Sequence, residues 1–158
     1  MRHFSALRIP ILFLCIFASA LSGFAADIGA KSLDAAWMKA MKANDLEAVL
    51  ACYASDAVAW MPGSPEASGE KAIRAAYQGL FAANTVQDAT LTDAHYKTSG
   101  SLSAGWGRFT LTLAPKSGGA PVTVTGRFTE AAERRRGRWF YVADHASAEP
   151  PPSEAAKQ

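Results

Sequence analysis

The sequence predicts an α+β domain, with helices first and then a large antiparallel sheet that the helices cover. Apolar side chains recur at helical spacing through most of residues 32–83. After Asn84 the spacing changes to two, and apolar and polar residues alternate over long stretches. Turn-forming clusters cut those stretches into hairpin-sized pieces, which argues for antiparallel pairing.

The domain is not expected to begin at Met1. MRHFSALR is basic, and IPILFLCIFASALSGFA is apolar with small residues at its end. That is the pattern of a secretory signal peptide. Gly23 and Ala25 suit a cut after Ala25, and ASA offers an earlier one after Ala20. The apolar stretch is short for a membrane span. The expected organisation is a leader over 1–25, one domain over 26–148 and a proline-rich, disordered tail over 149–158. The mature protein is then periplasmic or secreted, with no membrane attachment. Without Arg2 and Arg8 the formal charge falls from +2 to zero, so charge makes no case for nucleic acid. Cys15 leaves with the leader. Cys52 remains alone in the apolar LEAVLACYA and reads as a small buried hydrophobe.

SLDAAWMKAMKAN predicts the first helix. Leu33, Ala36, Trp37, Ala40 and Met41 share its inner face, and Asp34, Lys39 and Lys42 fall elsewhere. Ser32 can cap it. Asn44-Asp45 makes a corner, and Asp45 caps a second helix with Leu46, Val49, Leu50 and Tyr53 inward. Val58–Met61 is too short for a helix and reads as a strand. Pro62-Gly63-Ser64-Pro65 must turn. A third helix starts at Ser68 or Gly69 and carries Ile73, Ala76, Tyr77, Leu80 and Phe81 on its apolar stripe.

ATLTDAHYKT alternates, and so does AGWGRFTLTL. In the latter, Phe109, Leu111 and Leu113 face one way, and Trp106, Arg108, Thr110 and Thr112 the other. Lys116-Ser117-Gly118-Gly119 is a hairpin connection. PVTVTGRFTEA sets Val122, Val124 and Phe128 against Thr123, Thr125, Arg127 and Thr129. Arg134–Gly137 turns the chain into a last strand, RWFYVADHAS. The basic run RRRGR reads as a solvated hairpin tip.

NDLEAVLACYASDAV, MPGSPEASGEKAI and GRWFYVADHAS carry a family resemblance. The order of elements resembles the nuclear-transport-factor-2-like superfamily. The first two stretches resemble its SnoaL-like branch, where a Ser-Asp, an Ala-Val and then Pro-Gly … Gly-x-x-x-Ile follow the second helix. The last resembles the ending of SgcJ/EcaC-type proteins, and also the last strand of the calcium/calmodulin-dependent kinase association domain. The resemblance spans roughly Ser32 to Ser147. It implies a cone-shaped fold, with three N-terminal helices packed on a strongly curved antiparallel sheet. The short strand then joins the sheet's edge and the third helix closes the cone's mouth. The scaffold carries many activities, so it does not imply one. Steroid-isomerase chemistry would need an Asp base and a Tyr donor at two positions. Aligning on NDLEAVL puts Met61 and Trp37 there, and neither can do that work.

Two constellations could carry chemistry. Asp144 and His145 are neighbours on a strand and point to opposite faces, so they cannot pair. His145 is expected to share a face with Trp139, Tyr141, Ala143 and Ser147. If that face lines the cone, His145 is a candidate general acid/base; otherwise it is a structural histidine. Arg108 and Arg127 sit mid-strand. Facing inward they need an anionic ligand, and facing outward they are solvated. The association-domain resemblance implies the inward arrangement. The expected ligand set is Arg108, Arg127, Trp106, Tyr77, Trp139 and Tyr141, around a small, partly apolar, acidic molecule. In that arrangement the apolar face, with Phe109, Leu111, Leu113, Val122 and Val124, packs on a second subunit as a homodimer. The simpler sheet polarity instead puts that face on the helices.

No Cys/His cluster, P-loop or Gly-x-Ser-x-Gly occurs, so no metal and no cofactor is expected. Three functions fit: a small-molecule binder, a lyase, isomerase or hydrolase using His145, or an assembly domain.

Overall fold

Asn44, the residue after the first helix, sets the corner from which the fold is built. It adopts a left-handed conformation (φ 54°), and its N–H caps the carbonyls of Ala40 and Met41. Its side chain then pairs with the backbone of Val86, donating to the carbonyl at 3.0 Å and accepting from the N–H at 2.8 Å. One Asn thereby ties helix to sheet. The computed structural model describes residues 29–149. The leader, the cleavage site and, beyond Glu149, the disordered tail expected from the sequence fall outside the described residues.

Helix α1 spans Ala30–Ala43 and α2 spans Leu46–Leu50, capped by Asp45 Oδ1 accepting from the Ala48 N–H at 3.0 Å. Strand β1 runs Tyr53–Trp60, β2 is Ala67–Ser68, and α3 runs Gly69–Ala83. Strands β3 (Asn84–Ser99), β4 (Leu102–Pro115), β5 (Val122–Arg135) and β6 (Arg138–Ala148) complete a six-stranded sheet of order β2-β1-β6-β5-β4-β3. The architecture is the expected α+β one, with a curved, unclosed sheet cupped around the helices.

Two local expectations are corrected. The second helix does not reach Tyr53. It stops at Leu50, and Tyr53 starts β1 opposite Tyr141, whose N–H donates to the Cys52 carbonyl at 2.8 Å. Ladder pairing overrides the helical spacing there. β1 also runs parallel to β6, whereas every other pairing is antiparallel.

Sheet curvature comes from register shifts in β3 and between β5 and β6, since an extra residue bends its strand. Gly126 helps, because a side chain there would collide with the Phe109 ring and the Ser147 carbonyl. Val86, Ala89 and Ala132 of the sheet join Leu33, Met41, Val49 and Ile73 in the core, and Phe109 and Phe128 are buried in the cavity wall.

The face assignment drawn from the association-domain resemblance is reversed. Phe109, Leu111, Leu113 and Val124 look into the cone, and Trp106, Arg108 and Arg127 are exposed on the other side. The helices shelter the apolar face, where an arginine would lose its hydration. Of the apolar patch expected to pack on a second subunit, Phe109 is buried, Leu111, Leu113 and Val124 line the cone, and Val122 is 53% exposed.

Candidate functional site

Between α1, α3 and the concave sheet lies a cavity of about 460 Å³. Its wall is mostly apolar, with Met41, Leu80, Phe109, Leu111 and Phe128 among the contributors. Three carboxyls interrupt it: Asp34 from α1, Glu130 from β5 and Asp144 from β6.

Asp34 is only 2% exposed. Its Oδ1 accepts from the Tyr141 hydroxyl at 2.6 Å and its Oδ2 from the Tyr96 hydroxyl at 2.6 Å. Burial raises its pKa, and the hydrogen bonds from Tyr141 and Tyr96 work against that rise. Glu130 is 8% exposed, and its Oε1 is buried with no hydrogen-bond partner. Burial, and then the charge of Asp34, raise its pKa far above the carboxylate range. Glu130 therefore holds a proton at neutral pH. Gly105, on the neighbouring strand, makes room for this carboxyl, because a Cβ there would overlap Oε1.

Asp144 ends a second network. Tyr53 donates to its Oδ2 at 2.5 Å, Tyr53 and Tyr77 share a hydrogen bond of 2.7 Å, and the Trp37 indole N–H donates to Tyr77 at 2.9 Å. An indole can only donate, and Tyr53 has one proton. The chain is therefore directional: Trp37 to Tyr77, Tyr77 to Tyr53, Tyr53 to Asp144. Burial pushes Asp144 up to about 6, opposed by the Tyr53 hydrogen bond; the charge of Asp34 raises it further and that of His145 lowers it. Burial likewise raises the pKa of Tyr53, Tyr77 and Tyr141.

Of the residues expected at the site, Tyr77 and Tyr141 line the cavity. Trp106, Arg108, Arg127 and His145 do not. Trp106 stacks on His95 with ring centroids 5.9 Å apart. Arg108 pairs with Glu149 and, at 3.7 Å, with Asp93. Arg127 is exposed. His145 is exposed and meets the Trp60 ring edge-on at 6.3 Å. Trp139 packs at the core's edge beneath Arg134, away from the cavity. Asp144 and His145 do point to opposite faces, as expected. The common face of Tyr141 and His145 fails because the β5–β6 register skips Val142. That bulge turns Tyr141 and Asp144 to the same side.

Asp34 and Glu130 escaped the sequence reading. Asp34 sits one turn before Trp37 and reads as a surface residue. Glu130 has the parity of Phe128, which is the signal that could have found it. Among the described residues, no group of three or more His, Cys, Asp or Glu is placed to hold a metal ion.

The profile of the SnoaL-like domain family matches residues 35–142. The chain belongs to that family, within the nuclear-transport-factor-2-like superfamily. Solved structures agree on the fold. A ketosteroid isomerase-like protein from Erwinia carotovora atroseptica superposes with a TM-score of 0.67 at 20% identity, over 77% of this chain and 94% of that one. A protein provisionally described as a scytalone dehydratase from Novosphingobium aromaticivorans gives 0.69 at 9% identity, over 76% and 81%. One provisionally described as a calcium/calmodulin-dependent protein kinase II association domain, from Xanthomonas campestris, gives 0.69 at 22% identity, over 76% and 85%. No curated protein matches the chain.

Met61 and Trp37 both line the cavity. A carboxyl from another strand, Asp144, faces the same space.

Proposed function

We propose that the cone is a site for a small, largely apolar molecule and that Asp144 acts on it as a general base. One observation carries this reading. Asp144 stands in the wall of an apolar cavity with Oδ2 held by Tyr53, which leaves Oδ1 for a bound molecule. A base is most effective when its pKa lies near the working pH, and burial moves Asp144 towards that range. The role expected of His145 passes to its neighbour, because His145 stands outside the cavity. The acidic ligand expected from Arg108 loses its support for the same reason. Some neighbours of the fold are described as dehydratase- or isomerase-like, which fits proton transfer as the reaction class. Export through a cleaved leader belongs to the same proposal and rests on the basic start and apolar stretch of residues 1–25.

The test is incubation in D2O with a small-molecule extract of the source cells, followed by mass spectrometry. A general base that removes a carbon-bound proton gives compounds heavier by deuterium uptake with the parent protein and none with Asp144→Asn. Equal uptake with both proteins would overturn the role of Asp144.

A further inference from the structure

The cavity's donors and acceptors are badly out of balance, and the imbalance defines what can enter. Asp34, Glu130 and Asp144 line it, and no lysine, arginine or histidine does. Two of these carboxyls are more than nine-tenths buried. Buried carboxylates without a cation depend on hydrogen bonds or on keeping a proton.

Most of the protein's own donors in the polar wall are already committed, the Glu130 proton being turned towards Asp34 and only the Ser64 hydroxyl standing apart in the lining. Tyr141 and Tyr96 donate to Asp34. Tyr53 donates to Asp144, Tyr77 is turned towards Tyr53, and Trp37 donates to Tyr77. Acceptors remain. Oδ1 of Asp144 has no protein partner among the described residues, and Oε1 of Glu130 is buried and unpartnered. Glu130 and Asp144 are also direct cross-strand partners, so the two carboxyls border the same space. A ligand whose polar end only accepts hydrogen bonds would meet acceptors. A carboxylate would add a third charge.

Resting on the reading of the cavity as a small-molecule site, we infer that its ligand is an organic amine, bound as the ammonium ion between Glu130 and Asp144. An ammonium group has several donors and no acceptor, which complements two waiting carboxyl oxygens. The apolar remainder would lie on Phe109, Leu111 and Phe128. The rings of Trp37, Tyr77 and Tyr141 add the aromatic wall that favours a desolvated cation. On binding, the ammonium charge makes the ionised form of Glu130 favourable. Its proton leaves to solvent, and the two carboxylates pair with the one cation.

The probes are 2-phenylethylamine, 2-phenylethanol and 3-phenylpropionate, which share a ring and differ in the polar end. Binding to the full chain is measured by calorimetry at pH 7 in two buffers of different ionisation enthalpy. The amine is expected to bind about ten- to a hundredfold more tightly than the alcohol, with a buffer-dependent enthalpy that reports proton release. The carboxylate is expected not to bind. Glu130→Gln should remove the buffer dependence and most of the preference for the amine, with folding checked by circular dichroism. Asp144→Asn should weaken the amine and leave the alcohol unchanged.

An alcohol that binds as tightly as the amine, a carboxylate that binds, or an amine that fails to bind would overturn the inference. Alcohol binding without amine preference removes the cation and leaves the cavity reading intact. The base role of Asp144 is judged separately, by deuterium uptake.

Discussion

Glu130 and Asp144 lie directly opposite one another on β5 and β6, and both carboxyls border one apolar cavity. Burial, and then the charge of Asp34, raise the pKa of Glu130 well above that of Asp144. Glu130 keeps its proton and Asp144 titrates first.

Stability should therefore depend on Asp144. Its pKa is raised from 3.8 to about 6 on folding. A raised carboxyl favours folding while protonated, so its contribution is full below pH 4 and is lost as pH rises through 6. The shift amounts to about 1–3 kcal/mol. Asp144→Asn should flatten the fall in stability between pH 4 and 6.5, and should be more stable than the parent at pH 7. Urea unfolding across that range checks it. A variant with the parent's slope would assign the titration elsewhere.

Trp37 orients the tyrosine chain. Trp37→Phe removes the only donation into Tyr77 that cannot reverse, so the polarity towards Asp144 relaxes. We expect the Asp144 pKa to rise, read as a shifted carboxyl titration by NMR. The expected loss of stability is about 1 kcal/mol, typical of one hydrogen bond.

The hydroxyls on Asp34 should matter more. Tyr141→Phe or Tyr96→Phe leaves a buried carboxylate one donor short. Each should cost about 1.5–3 kcal/mol, the range for hydrogen bonds to charged groups. Asp34→Asn should lose less than the two added together, because the three groups act as one network.

Gly105 guards Glu130. Gly105→Ala sets a methyl group into Oε1 and should destabilise by about 1–3 kcal/mol. Adding Glu130→Ala should recover much of that, giving a coupling energy in a double-mutant cycle. Simple additivity would place the strain elsewhere.

The convex face should be silent for the cavity. Arg108→Met and His145→Gln are exposed changes, so stability should move by no more than about 0.5 kcal/mol. Affinity for the amine probe should not change, by calorimetry.

N-terminal sequencing of protein exported from its source cells should begin at Ala26. Mature protein that retains Met1 would exclude the leader.

The order of helices and strands was legible in the sequence, because apolar spacing, the Asp45 cap and the Pro62–Pro65 and Lys116–Gly119 turns are local signals that neighbouring residues enforce. Those signals and three short motifs were enough to place the chain in the cone-fold superfamily. Which face of the sheet lies inside was decided only in three dimensions. The alternation within β4 and β5 shows two faces and does not say which one α1 and α3 cover. One residue skipped at Val142 turned Tyr141 and Asp144 to the same side, and a two-residue rule applied along β6 cannot see it. Asp34 looks like a solvent-facing helical acid until Tyr96 from β3 and Tyr141 from β6 close over it. A buried carboxyl is stabilised by partners more than sixty residues away along the chain, and only the tertiary fold brings those partners within hydrogen-bonding distance.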